Sequence, residues 1–191
     1  MVHKFNPKNK HKLDNPERRK AMPPKETLEK LMLLEGDKVA DVGCGIGYFT
    51  IPASEIVGTT GKVYAIDTSL EMLACLSEEI KDNSFENIEL IKAEEYSAKL
   101  KDNSLDFILI SYVIHEIEDK GKFLESYLHK LKSGGRLAII EWKKVESKSG
   151  PPFNHRIGLE ELSKLLTDHN IKLLKEIELS GNHYGIIAKK L

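Results

Sequence analysis

A chain of 191 residues is long enough for one domain with its own core. Its 40% hydrophobic and 31% charged residues exclude a disordered or fibrous chain. No apolar run approaches the roughly 20 residues that cross a bilayer, and the early lysines are followed by no apolar leader, so the chain reads as cytoplasmic with no membrane partner. Cys44 and Cys75 are too few for a disulfide framework and read as reduced thiols. The net charge of −1 is uneven, with residues 1–25 carrying +6 and the remainder −7. Such a basic segment is able to meet nucleic acid, but the body offers no matching basic stripe, so a solvated arm packed over the domain is favoured.

Residues 1–23 are polar and interrupted by prolines, and read as a basic arm or lid preceding a domain over 24–191. Asn15 before Pro16 predicts a capped short helix. A second helix is predicted from Pro24, with Leu28, Leu31, Met32 and Leu34 near helical spacing and Gly36 as its stop. Strand-like runs follow at Val39–Val42, Val63–Ile66, Ile88–Ile91, Phe107–Ile110 and Leu137–Trp142. Helical spacing lies between most of them, at Leu70, Leu73, Leu76 and Ile80, and at Phe123 through Leu131, closed by Ser133-Gly134-Gly135. Residues 143–157 form a long connection, of the kind that lines or covers sites. Leu159, Leu162, Leu165 and Leu166 predict a last helix. The runs Ile171–Leu179 and His183–Lys189, split by Ser180-Gly181-Asn182, then predict an antiparallel hairpin. Alternating strands and helices imply a doubly wound α/β fold. We expect a Rossmann-like, mostly parallel sheet of seven strands with an antiparallel last strand and helices on both faces.

The most informative stretch runs Asp41-Val42-Gly43-Cys44-Gly45-Ile46-Gly47-Tyr48. A buried strand ends in a carboxylate, then three glycines alternate before a helix. Glycine is needed where φ is positive or where a ligand must touch the main chain. Such a turn lies where open α/β sheets bind ligands. A dinucleotide fingerprint would need glycine at position 48, where this chain has Tyr48, which disfavours a nicotinamide-dependent oxidoreductase. Asp41, two residues before the first glycine, suits a cationic ligand instead.

This D-x-G-x-G-x-G stretch resembles the class I S-adenosylmethionine-dependent methyltransferases, and the resemblance extends over about residues 25–191. The arm from His3-Lys4-Phe5 to Pro23-Pro24, with Trp142-Lys143-Lys144 and Pro151-Pro152, is similar to a small group near the quinone-biosynthesis and arsenite methyltransferases. The resemblance implies S-adenosyl-L-methionine as cofactor, lined by Asp41, Gly43, Cys44, Gly45 and Gly47. Asp67, ending the second strand, is placed to accept both hydrogen bonds of a ribose diol. Thr68 and Met72 lie just beyond it, and Ala93 and Glu94 end the third strand where the family reaches the adenine. Ser111 ends the fourth strand near the cofactor, and His115 follows as the candidate catalytic base, since an imidazole suits proton removal from a hydroxyl near neutral pH. Tyr112, Trp142 and His155 are further candidates around the acceptor, and Phe5, His11 and Leu13 are candidates to cover the site.

Methyl transfer from a sulfonium needs positioning and water exclusion rather than a metal, and no metal motif is present. The expected acceptor is a small molecule. The alternatives are RNA or protein methylation through the basic arm, or a cofactor-holding module without catalysis. The stretch Ser111-Tyr112-Val113-Ile114 lacks the N-P-P-Y-like pattern of amino-methylating members, and the positions of Cys44 and Cys75 argue against arsenite. The motifs leave the acceptor, the attacked atom and the oligomeric state open.

Overall fold

In the computed structural model, residues 13–97, 99–147 and 149–191 are described. Helix α1 (Pro16–Ala21) is capped by Asn15, whose Oδ1 accepts from the Arg18 amide at 2.8 Å, with Pro16 at the first helical position. Helix α2 (Pro24–Lys30) buries Thr27 and Leu28. Strand β1 (Lys38–Val42), helix α3 (Thr50–Val57), strand β2 (Lys62–Asp67), helix α4 (Leu70–Asp82) and strand β3 (Ile88–Lys92) then alternate. Strand β4 (Leu105–Ser111) leads through a single 3-10 turn at Ile114–Glu116 to helix α5 (Lys120–Leu128) and strand β5 (Leu131–Trp142). Helix α6 (Leu159–Asp168) and the hairpin of β6 (Ile171–Ser180) and β7 (His183–Lys190) complete the described chain.

The seven strands lie in the order β3-β2-β1-β4-β5-β7-β6. All neighbouring pairs from β3 through β5 are parallel, and β7 runs antiparallel to both β5 and β6. The two residues Gly181-Asn182 turn the hairpin, as the spacing predicts. Strand order reverses between β1 and β4, so their carboxyl ends form the crevice that open α/β sheets offer to ligands.

Side-chain alternation divides the core into two layers. Val39, Phe107, Leu109, Ala138 and Ile140 face α2 and α3, joined by Met22, Leu28, Leu31, Ala53 and Val57. Val42, Ile108, Ile110, Leu137 and Ile139 face α5 and α6 through Phe123, Leu124, Leu162 and Leu166. Met22 therefore ties the end of the N-terminal segment into the domain's own core.

Two expectations need correcting. The helix from Pro24 ends at Lys30 rather than near Gly36, because Met32 takes a φ of +65° and breaks it, leaving Met32 and Leu34 exposed beyond its end. Leu131 does not close a helix; it opens β5 and pairs with Leu105. Ser133-Gly134-Gly135 is a bulge within the strand rather than a helix stop, because Phe107 pairs with Arg136 next. Gly134 takes a φ of +76°, and the extra residues let Leu131 bury completely.

Gly47 shows how tightly the first turn is built. Its φ is +93°, and a Cβ there would lie 2.4 Å from Leu76 Cδ1 of α4. Gly47→Ala is expected to destabilise by about 2–4 kcal/mol in urea unfolding, from overpacking and left-handed strain together. Gly158→Ala, with a φ of −75° and only Lys144 Cδ at 3.7 Å, is the contrast and should stay within about 1 kcal/mol of the parent. Equal losses in the two variants would refute the packing argument.

Candidate active site

The parallel register sets the carboxyl ends of β1, β2, β3 and β4 side by side, with Val42 opposite Ile66 and Ile110, and Asp67 opposite Lys92. The glycine turn leaves β1 at this edge. Gly43, Gly45 and Gly47 all have positive φ. The Gly43 and Cys44 amides donate to the Ile66 carbonyl at 2.8 and 3.0 Å, which folds the turn back over β2. A Cβ on Gly43 would lie 2.3 Å from Val113 Cγ2, so the turn after β1 touches the segment after β4.

Asp41 points into the layer of α2 and α3 and is only 2% exposed. Its Oδ2 accepts from Thr50 Oγ1 at 2.6 Å. Burial pushes its carboxyl up to about 6, against the Thr50 hydrogen bond, with the charge of Asp67 adding to the rise. Asp67 braces the turn from β2. Its Oδ2 accepts from the Gly45 amide at 2.9 Å and its Oδ1 from the Ser69 amide at 2.7 Å. Burial raises its pKa, and those backbone donors oppose the rise. The cap of α4 is Ser69, whose Oγ accepts from the Met72 amide at 3.3 Å.

The remaining expected residues form a rim and a floor. Gly43, Thr68 and Glu94 are exposed, whereas Cys44, Met72 and Ala93 are buried. Burial first of all, with Asp41 and Asp67 beside it, holds the Cys44 thiol well above its ordinary pKa, which makes it inert packing rather than a nucleophile. Glu94 pairs with Ser97 in an isolated bridge. Ser111 Oγ is buried without a hydrogen-bond partner among the described residues. A buried hydroxyl left unpaired at a ligand crevice is what a missing polar ligand would explain. Tyr112, next in sequence, has a φ of +60°, a strained conformation for a bulky residue, of the kind found at functional edges.

His115 lies in the 3-10 turn after β4 and is 6% exposed. Its Nδ1 is 2.8 Å from Glu141 Oε2, and its backbone amide donates to Glu141 Oε1 at 3.2 Å. Glu141 is fully buried near the end of β5. A carboxylate only accepts, so Nδ1 carries the proton and Nε2 holds the lone pair. Glu116 Oε1 is 3.8 Å from Nε2. Burial alone would lower the His115 pKa, but the hydrogen bond and charge of Glu141 raise it above its ordinary value. By strand alternation Glu141 shares the sheet face of Ile139, so Asp41 and the His115–Glu141 pair flank the β1–β4 junction from opposite faces.

Beside Tyr112 lies an aromatic cluster. The Trp142 ring is 5.9 Å from Tyr112 and 4.1 Å from His183, and Tyr112 is 5.4 Å from His183. Burial brings the His183 imidazole down to about 4, so it is neutral at physiological pH. His155 lies in the 3-10 turn Phe153–His155 of the long connection. That connection is organised by buried Arg156, which donates to the carbonyls of Lys143, Val145, Ser149 and Pro151. Leu13 lies over the glycine turn, 3.2 Å from where a Gly45 Cβ would stand. Phe5 and His11 fall outside the described residues.

Glu141, Arg18 and Arg156 were missed by sequence reasoning. Glu141 had a signal, since it ends the apolar run from Leu137 much as Asp41 and Asp67 end theirs. Arg18 had a weaker one, sharing a helical face with Met22 four residues on. Arg156 had none.

Comparison with known proteins gives the family and the fold. The model of the ubiE/COQ5 methyltransferase family matches residues 21–153. A demethylmenaquinone methyltransferase of Anoxybacillus flavithermus is 30% identical over 117 residues, covering 61% of this chain and 49% of that protein. The chain thus spans about half the length of the curated relatives it matches. Among solved structures, a SAM-dependent methyltransferase from Aquifex aeolicus is 36% identical with a TM-score of 0.93, covering 98% of this chain and all of the other. A type 11 methyltransferase from Sulfolobus solfataricus is 25% identical with a TM-score of 0.73, over 89% of this chain and 93% of the other.

Proposed function

From the premise that the chain belongs to the ubiE/COQ5 methyltransferase family, we propose that it transfers the methyl group of S-adenosylmethionine to a hydroxyl-bearing aromatic small molecule of the quinone-precursor kind, in the cytoplasm. S-Adenosylmethionine is the cofactor. The observation that carries the acceptor chemistry is the buried His115–Glu141 pair at the end of β4. It supplies a base whose proton-accepting nitrogen is selected by a buried carboxylate.

The residues present fit the cofactor. The positive-φ glycines keep side chains out of the turn, buried Asp41 suits a cationic group, Asp67 keeps acceptor capacity beyond its two amide donors, and Ser111 Oγ lacks a partner among the described residues. When bound, the cofactor supplies an electrophilic methyl on a sulfonium leaving group. The protein's part is positioning and dehydration. His115 Nε2 takes the proton of the acceptor hydroxyl, while Glu141 fixes the ring and stabilises the imidazolium that forms. Tyr112, Trp142 and neutral His183 form an aromatic cluster at the same edge, on the face of Asp41 rather than that of Glu141. The relatives include demethylmenaquinone methyltransferases, whose name gives a quinone-type acceptor, which supports this acceptor class. Among the described residues no helix is long and apolar enough to cross a membrane.

Calorimetric titration with S-adenosylhomocysteine, with NADH as control, tests the cofactor. Transfer of radiolabelled methyl to a short-chain demethylmenaquinol analogue tests the acceptor. We expect micromolar binding of the first ligand, none of the second, and labelled product. Cofactor binding with label appearing only on RNA or protein would replace the small-molecule reading by the macromolecular one.

A further inference from the structure

Arg156 is only 4% exposed, and its donors all end on one stretch of chain. Nε donates to the Pro151 carbonyl at 2.9 Å. Nη1 donates to the carbonyls of Lys143 and Val145 at 3.2 and 2.7 Å, and Nη2 to Ser147 Oγ at 2.8 Å and the Ser149 carbonyl at 2.7 Å. A guanidinium carries five N–H donors in a rigid plane, so the fork is fully used. Every acceptor lies in the connection that follows β5, and no carboxylate is among them.

Taking a guanidinium out of water is costly, and carbonyl dipoles without a counter-charge offset that only in part. A connection needed merely to join β5 to α6 would satisfy its carbonyls with water. Here they turn inward onto one planar template, which fixes the shape of the loop. The loop leaves β5 at Trp142, directly after Glu141, and the Lys143 amide donates to the Asn182 carbonyl at 2.8 Å. Gly150, with a φ of +88°, lies so close to the indole that a Cβ there would stand 2.7 Å from Trp142 Cε3. Arg156 Cζ is 5.5 Å from the same ring. The chain then enters the layer of α5 and α6 at Ile157, whose carbonyl accepts from Tyr184 Oη at 3.0 Å. Tyr184 is the β7 residue paired with Glu141. The loop thus crosses the carboxyl end of β5 from the Trp142 face to the Glu141 face and is pinned on both. In the sheet it stands one strand from β4, which leads into His115.

We propose that Arg156 is a positioning residue for methyl transfer: it folds residues 143–157 into a fixed wall beside the His115–Glu141 pair, and that wall holds the acceptor at the base. The proposal rests on the acceptor reading given above. Arg156 itself touches neither cofactor nor acceptor, since none of its N–H groups is left over. A wall that only holds the acceptor acts equally on the ground state and the transition state, so its loss appears in KM, whereas loss of the base appears in kcat. The cofactor is spared, because Asp41 and Asp67 take their hydrogen bonds from Thr50, Gly45 and Ser69 and not from the loop.

The test follows radiolabelled methyl transfer to the short-chain demethylmenaquinol analogue by the full chain, by Arg156→Ala and by Gly150→Ala. Both variants should raise the KM for the analogue by about 10- to 100-fold, with kcat changed far less and S-adenosylhomocysteine affinity unchanged. Millimolar guanidinium, but not urea, should restore the KM of Arg156→Ala and leave that of Gly150→Ala where it is. Trp142 is the sole tryptophan, so its fluorescence reads the loop with no ligand present. Acrylamide should quench it more readily in both variants, and guanidinium should reverse this in Arg156→Ala alone. Gly150→Ala keeps the guanidinium and decides the matter if Arg156→Ala does not fold. An unchanged KM, or a KM that rises together with weakened cofactor binding, would make Arg156 a prop of the fold and overturn the proposal. A parent protein that binds cofactor but transfers no methyl to the analogue would defeat the acceptor reading and the proposal with it, an outcome distinct from transfer that is indifferent to the loop.

Discussion

His115→Ala is expected to lower kcat by about 10²- to 10⁴-fold while leaving S-adenosylhomocysteine affinity unchanged, the range for removing a positioned base. Affinity is spared because His115 follows β4 on the face opposite Asp41. Glu141→Gln is the informative partner. It keeps the shape beside Nδ1 but removes the charge, and loss of such a supporting carboxylate costs about 10- to 100-fold. The pH dependence then separates chemistry from packing. The base must be neutral, and Glu141 raises the His115 pKa above its ordinary 6.5 despite burial. Activity in the parent should therefore rise as pH climbs through a value above 6.5, and in Glu141→Gln this acid limb should move to lower pH. Stability runs the other way. A histidine with a raised folded pKa contributes stability that is complete below its unfolded value and lost as pH rises through the folded one. An unmoved acid limb in Glu141→Gln, with a fall in kcat alone, would show that the pair is structural.

Asp41→Asn should make the ligand-free protein more stable and a poorer binder of cofactor. The carboxyl pKa is about 6 in the fold against an ordinary 3.8. Above 3.8 the unfolded chain releases this proton more readily, so the native state loses stability as pH rises and the loss is complete above about 6. Holding Asp41 ionised at neutral pH thus costs on the order of 3 kcal/mol. Asparagine removes the charge and still offers an oxygen to Thr50 Oγ1. We expect urea unfolding at pH 7.5 to show a gain of about 1–3 kcal/mol, shrinking as the pH is lowered towards 4. S-Adenosylhomocysteine should bind about 10- to 100-fold more weakly, since a buried carboxylate facing an ammonium is lost. A variant less stable than the parent, or one binding equally well, would show that Asp41 serves the turn and not the ligand. A stabilising substitution that damages binding is the signature of a site strained in advance for its ligand.

On the proposed reading the two effects act on different steps, with Asp41, Asp67 and the glycine turn assigned to the cofactor and His115 and Glu141 to the acceptor. Double substitution of Asp41 and His115 should give additive losses, as expected for sites that share no partner.

The order of strands and helices was legible along the chain. Apolar runs of strand length alternating with helical spacing specify β1 to β7 to within a few residues, because burial on both faces of a parallel sheet leaves little freedom in pattern. The pattern misplaced Leu131, where a glycine bulge inside β5 looked like a helix stop, and it carried α2 past Lys30 to Met32 and Leu34. Asp41, the alternating glycines and Asp67 were legible because turn chemistry is local: each glycine must meet a left-handed φ within its own few residues. Which distant charges face one another became visible only in the folded chain. Glu141 reaches His115 across 26 residues because β4 and β5 are paired in register, with Ser111 opposite Ile140. Arg18 read as one of eight basic residues within positions 1–25, and only the docking of α1 on Tyr48 and Tyr112 sets its guanidinium over their rings. Burial of a charge is a property of the assembled layers, and no spacing along the chain encodes it.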